Sequence, residues 1–383
     1  MDPTSIRISE QKELDDSKNF PTRKDEIWRF VNVGDLAIFN TEPSVLKASD
    51  STETPPYAES VSHFSANKFY GDLPDSFSIE YKKHDLTFNT IDHIANKNVS
   101  FIESAIPTLT LKAKTESSHT VCVHTIENNA NWNRVHIIAE EGSQTELNLH
   151  TWDLENTIST LSTEISIEVK KGATLKLSIL SRCHTDSLVL QGINATLARD
   201  SILEITEYNP NIKASRIRYK IDLNEENAEV KLTGCAILSD KQQSHQYIEI
   251  NHNAPHCRSF QLFKTLLLDQ TKASFDGTVF VKEGAGGTEA NQLNNNLLLS
   301  KNARVYTKPR MKIKASDVRC NHGATTGSLN EDEIFYLVSR GLSREKAINT
   351  LSLGFIRGAL NDCSHKKTTQ WWLEQNTKHL SNL

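Results

Sequence analysis

No apolar run among the 383 residues approaches the roughly 20 that a membrane helix needs, which argues against a membrane protein. The opening residues, MDPTSIRISEQKELDDSKNF, have neither the apolar centre of a signal peptide nor the acid-poor composition of a transit peptide. A cytoplasmic chain is therefore expected. Six cysteines (Cys122, Cys183, Cys235, Cys257, Cys320 and Cys363) include no CxxC pair, which argues against a zinc knuckle or a dithiol redox motif. Most are expected to be buried, reduced structural thiols. Charge of one sign is lacking as well. The formal net charge is −5 with acids and bases interspersed, so neither nucleic acid nor an anionic membrane is favoured as a partner. GxSxG and HExxH are absent and no paired acids form an acid/base constellation, so familiar hydrolase chemistry has no support.

What the chain does have is 37% hydrophobic residues against 24% charged, enough for a sizeable core. Residues 1–105 read as a partly helical region with a polar linker. A helical lead-in, TRKDEIWRFVNVGDL, carries Ile27, Phe30, Val31 and Leu36 and precedes a Pro-, Ser- and Thr-rich stretch. Residues 106–326 change to period-two alternation, clearest where Ile165, Ile167 and Val169, then Leu175, Leu177 and Ile179, flank a turn at Gly172. A unit of polar turn, small residue and alternating strand recurs in EEGSQTELNLH, KKGATLKLSIL, ARDSILEITEY, NEENAEVKLTG, DQTKASFDGTV and SKNARVYTKPR. Its spacing is roughly 26 to 30 residues, with one interval of about 45 between Ala228 and Ala273. Strands without intervening amphipathic helices leave a sandwich, a barrel or a parallel β-helix, and the regular repeat favours the last. Each coil of a β-helix buries its inward row on the next coil, so the ends need caps, for which the flanking segments are available.

Residues 327–383 read as a C-terminal helical domain. Asn330 and Glu333 form a capping box, Gly341 ends the first helix, Ser343 caps a second, and a third begins near Ser364 and presents Trp371, Trp372 and Leu380.

Three stretches invite a chemical reading. EGAGGTEANQ (283–292) lacks the Lys-Ser/Thr of a P-loop and the spacing of a dinucleotide fingerprint, so it reads as a corner or hairpin loop. His252, His256 and Cys257 are soft-metal ligands by type, but alternation along a strand sends His256 and Cys257 to opposite faces. Cys320 and His322 differ: two apart in an extended segment, they face one side at the junction between strands and helices. Two ligands do not close a metal site, so any metal there is shared with another chain or another part of this one. Taken alone, the residues leave this pair open between a ligand set and a domain junction.

The stretch DVRCNHGATTGSLNEDEIFYLVSRGLSREKAINTLSLGFI resembles the C-terminal signature of the SufB/SufD family of iron–sulfur cluster assembly proteins. The resemblance extends through APHCRSFQLFKTLLLDQTKASFDGTVFV and NLLLSKNARVYTKPRMKI, and back to DEIWRF near the start. The SufD type is indicated because Leu293, Asn294, Asn295 and Asn296 supply no thiol where SufB-type chains carry a cysteine, and because His322-Gly323 replaces the His-Glu typical of SufB. The resemblance implies a mainly β fold, a right-handed parallel β-helix flanked by N- and C-terminal helical regions. It further implies a non-catalytic scaffold that pairs with a SufB-type paralogue through the β-helix and with a SufC-type ABC ATPase through the C-terminal helices. By the same resemblance His322 serves a transient iron–sulfur cluster shared with the partner subunit, with Cys320 an auxiliary ligand. Phe335, Leu351, Phe355, Trp371 and Trp372 become candidates for ATPase contacts. Whether a flavin takes part is left open. So are two rivals: a homodimer carrying the cluster alone, and a β-helix enzyme acting on carbohydrate.

Overall fold

The structure, a computed structural model, describes residues 61–65, 68–70, 77–82, 108–125, 130–153, 160–209 and 211–380. The helical lead-in with Ile27, Phe30, Val31 and Leu36 lies outside the described residues.

Among the described residues nineteen strands form two sheets, and from residue 108 onward the chain alternates between them. The first sheet contains β1 (Val61–Ser65), β2 (Lys68–Tyr70), β5 (Ser117–Thr125), β7 (Gln144–Asp153), β9 (Thr174–Arg182) and β11 (Ile202–Tyr208). It continues through β13 (Glu229–Leu238), β15 (Arg258–Leu267), β17 (Glu289–Leu298) and β19 (Arg319–Gly327). The second sheet contains β3 (Phe77–Lys82), β4 (Thr108–Ala113), β6 (Ala130–Ala139), β8 (Thr160–Val169) and β10 (Leu188–Leu197). It continues through β12 (Ala214–Leu223), β14 (Gln243–His252), β16 (Lys272–Val281) and β18 (Arg304–Ile313). Pairing is parallel throughout except at β1–β2 and β3–β4. The fold is thus a parallel β-solenoid with two strands per coil, as the repeat predicts. From residue 108 onward, in-register partners on successive coils range from 26 residues apart (Leu188 and Ala214) to 32 apart (Lys272 and Arg304).

The corners before the first-sheet strands explain the repeated small residue. Gly142, Gly172, Asp200, Asn227, His256 and Gly287 all adopt positive φ, between 57° and 69°. Gly, Asn and Asp are the residues that tolerate this region best. Each is followed by a small buried residue: Ser143, Ala173, Ser201, Ala228, Cys257 and Thr288. Backbone hydrogen bonds stack the corners, such as Gly172 N–H to the Arg199 carbonyl at 2.9 Å and His256 N–H to the Gly286 carbonyl at 2.8 Å. The long interval from Ala228 to Ala273 is about one and a half coils, because Ala228 precedes a first-sheet strand whereas Ala273 lies in β16 of the second sheet.

Between the sheets runs a core of Leu, Ile and Val, including Leu147, Leu177, Ile205, Leu232, Ile193 and Ile221. Three helices follow the solenoid: α1 (Glu331–Ser339), α2 (Arg344–Leu360) and α3 (Lys366–Leu380). Asn330 caps α1 by accepting from Asp332 N–H, Gly341 takes φ 97°, and Ser343 caps α2 by accepting from Lys346 N–H. The helices do not cap the solenoid's end. Ile356, Leu360, Cys363 and Trp372 pack instead on Leu180, Tyr208, Cys235 and Leu266 on the outer face of the first sheet. That outer face is apolar here and needs covering, which the inward alternation alone does not reveal.

Candidate functional site

β18 and β19 are the last strands of their sheets, and each leaves one edge without a neighbouring strand among the described residues. Such edges are templates for pairing with another chain. The register of β19 on β17 sets Cys320 beside Ala290 and His322 beside Gln292. Ala290 and Gln292 are fully buried, on the inward row of β17. Cys320 and His322 therefore continue that inward row on the final strand, where nothing among the described residues covers them as a further coil would. His322 is exposed and Cys320 half-buried, so the two sit on one face of β19 as the sequence spacing suggests.

Their surroundings differ. Cys320 packs on Val279, Val281, Ala285 and Ala290, next to Met311 and Val318. Burial pushes its thiol above the usual range, offset in part by a hydrogen bond from the Ala290 backbone. It is a protonated thiol at neutral pH, and a ligand only after losing that proton. Beneath His322 lie two buried amides, Gln292 and Gln261, with Gln292 Nε2 donating to Gln261 Oε1 at 3.1 Å. These are polar residues in the interior that the period-two reading passes over. Their signal is present in the sequence as amides at inward positions of SFQLF and ANQLN.

Sequence-level suspicion of His252, His256 and Cys257 finds a structural answer. His252 is buried, bonds Ser259 Oγ through Nε2 at 2.9 Å, and is pushed down to about 4 by burial. His256 is the left-handed corner residue, with its ring so close to Gly287 that a Cβ there would stand 2.2 Å from Nδ1. Cys257 fills the small-residue position of the same corner and donates to the Glu225 carbonyl at 3.2 Å. His256 and Cys257 thus belong to a corner, not to two faces of a strand. Among the described residues no group of three or more His, Cys, Asp and Glu side chains could hold a metal ion. The Gly-rich segment after Val281 is likewise a corner, with Gly284 at φ 86° and Gly287 at φ 69°.

Of the tail's apolar residues, Trp372 is buried against the solenoid, and Phe355 and Trp371 pack partly on the same cluster. Leu351 is half-buried, while Phe335, at 73% exposed, stands out with Tyr336 and Val338 on α1. One further group stands out inside the solenoid. Glu207 is fully buried, accepts from Tyr219 Oη at 2.7 Å and from Gln246 Nε2 at 3.4 Å, and is pushed up to about 7 by burial. No described helix is long and apolar enough to cross a membrane.

The family model described as "SUF system FeS cluster assembly, SufBD core domain" matches residues 122–355. The chain belongs to the SufB/SufD family of iron–sulfur cluster assembly proteins. It is 34% identical over 182 residues to an iron-sulfur cluster assembly SufBD family protein of Synechocystis, covering 44% of this chain and 40% of that one. It is 38% identical over 133 residues to the iron-sulfur cluster assembly protein SufD of Escherichia coli, covering 35% of this chain and 31% of that one. A SufD protein of Plasmodium falciparum is 32% identical over 152 residues, 39% of this chain and 10% of that one. The chain thus spans well under half the length of these curated relatives. Within the SufB/SufD family it is SufD-type. The matched region contains the solenoid coils leading to β19, all of α1 and most of α2.

Proposed function

We propose that this chain is the SufD-type scaffold subunit of a SufBCD assembly that builds iron–sulfur clusters. It pairs with a SufB-type paralogue at the open end of the solenoid. The observation that carries the reading is the position of His322, exposed on the inward row of the terminal strand beside two sheet edges that no other described strand pairs. An imidazole there is accessible to a second chain, and a site with one or two ligands from this side stays incomplete until the subunits meet. The cluster is the scaffold's cargo. Imidazole in place of thiolate alters ligand charge and cluster potential, which suits a site that must release its product. Cys320 serves as auxiliary ligand once deprotonated.

A SufC-type ABC ATPase engages the C-terminal helices, and the exposed Phe335, Tyr336 and Val338 on α1 are the residues best placed for that contact. Force applied to these helices reaches the first sheet through α2 and α3, which are bonded to its outer face. Lys264 Nζ donates to the Phe355 carbonyl at 2.9 Å, and Thr368 Oγ1 to Asn148 Oδ1 at 3.1 Å. Such a rigid-body transmission would reshape the cluster interface on ATP binding. The chain itself is not an enzyme in this reading. We place the assembly in the cytoplasm, where widely spaced free cysteines stay reduced.

The test is iron, acid-labile sulfide and visible absorbance on the chain co-expressed with SufB- and SufC-type partners and purified without oxygen. The His322→Ala variant is expected to keep its subunit ratios and lose the cluster. Equal cluster in both proteins would remove His322 from the site, and loss of cluster together with unfolding would make it a structural residue.

A further inference from the structure

One row of side chains points into the solenoid from the first sheet. In register it runs Leu147, Leu177, Ile205, Leu232, Gln261, Gln292, His322. The four aliphatic members are buried, and the two glutamines are equally so, each at 0% exposure. An incompletely bonded amide in such a place costs about 1–3 kcal/mol, which the leucine used lower in the row avoids. Below Leu147 the row begins with buried His119; from Leu147 onward the switch from aliphatic to polar occurs over the last coils before His322.

The interior accommodates these amides specifically. Gly277 of the second sheet leaves room for Gln292, since a Cβ there would stand 2.3 Å from Nε2. That Nε2 donates to Gln261 Oε1 at 3.1 Å, which orients the amide. Gln292 Oε1 is buried and has no donor among the described residues. The next residue of the row is His322, on the adjacent strand about 4.8 Å away.

We propose that Gln292 is the positioning residue of His322. Its Oε1, unbonded in the structure, is the acceptor that the exposed His322 ring meets on turning inward, with Gln261 holding the amide, so that the imidazole keeps one tautomer and presents its bare nitrogen at the open end. A neutral imidazole carries one N–H and one lone pair, and only the lone pair can ligate iron. Anchoring the N–H determines which nitrogen ligates. This inference rests on the proposed role of His322 as a ligand.

The test uses the full chain with ¹⁵N-labelled imidazoles, the His322 signals being identified by their loss in His322→Ala. Two-bond ¹⁵N–¹H spectra should show a single tautomer in the wild type and a mixture in Gln292→Leu. In Gln292→Glu, which keeps an acceptor oxygen, a single tautomer should return. If the leucine variant fails to fold, Gln292→Met is measured in its place. An unchanged tautomer in the leucine or methionine variant would overturn the inference. In the co-expressed complex the same variant should lower cluster content about tenfold at constant subunit ratio. His322→Ala without effect on cluster would overturn the ligand role itself. A loss with His322→Ala, but no change in tautomer or cluster with Gln292→Leu, would overturn only the part assigned to Gln292.

Discussion

Trp372 donates its indole N–H to the backbone carbonyl of Asn209 at 3.1 Å, joining the last helix to the side of the solenoid. Its ring lies 5.7 Å from that of Tyr208, whose hydroxyl is 2.6 Å from Thr369 Oγ1. Trp372 is 1% exposed, the largest fully buried side chain among the described residues.

Removing this anchor should free the helices while leaving the coils intact. Trp372→Ala is expected to cost about 3–5 kcal/mol, and Trp372→Phe, which loses the hydrogen bond but keeps most of the burial, about 1–2 kcal/mol. Hydrogen exchange should report the loss in α2 and α3 and not in β7 to β15. Uniform loss across the coils would mean that helices and solenoid unfold as one unit.

Glu207 should make stability depend on pH in a defined direction. Its folded value, about 7, lies above the ordinary carboxyl value of 4.5, so the native state holds this proton more tightly than the unfolded chain. The contribution is complete below about pH 4.5 and is lost as pH rises through 7, on the order of 3 kcal/mol in all. Buried His150 and His245, pushed down to about 3, act oppositely: their contribution is complete above 6.5 and is lost as pH falls. Glu207→Gln isolates the first effect. In denaturant titrations the variant should gain on the wild type between pH 4.5 and 8, whereas a constant difference would mean that Glu207 is already ionised in the fold.

Cys257 should behave as a corner residue. Cys257→Ala places at this corner the residue that Ala173 and Ala228 supply in other coils, so it should cost under about 1.5 kcal/mol and leave the iron content of the assembled complex unchanged. Cys257→Leu should overpack the corner and cost about 1–3 kcal/mol. Iron lost in the alanine variant, with stability retained, would restore Cys257 as a ligand.

Much of this was legible without coordinates. Strict alternation specifies strands, since inward and outward side chains must differ in polarity, and a left-handed residue before a small one marks each corner locally. The caps at Asn330, Gly341 and Ser343 are equally local, because one side chain or one backbone angle decides each. The proximity of Cys320 and His322 followed from period two alone. The stacking of residues from different coils did not. Coil length varies from 26 to 32 residues, so spacing cannot say which side chains become neighbours; backbone hydrogen bonding between coils does. Only that register brought Gln261 and Gln292 under His322. Only the packing of apolar outer-face residues such as Leu180 and Leu266 drew the helices to the side of the first sheet. That left the solenoid's last inward row, and His322 with it, exposed to another chain.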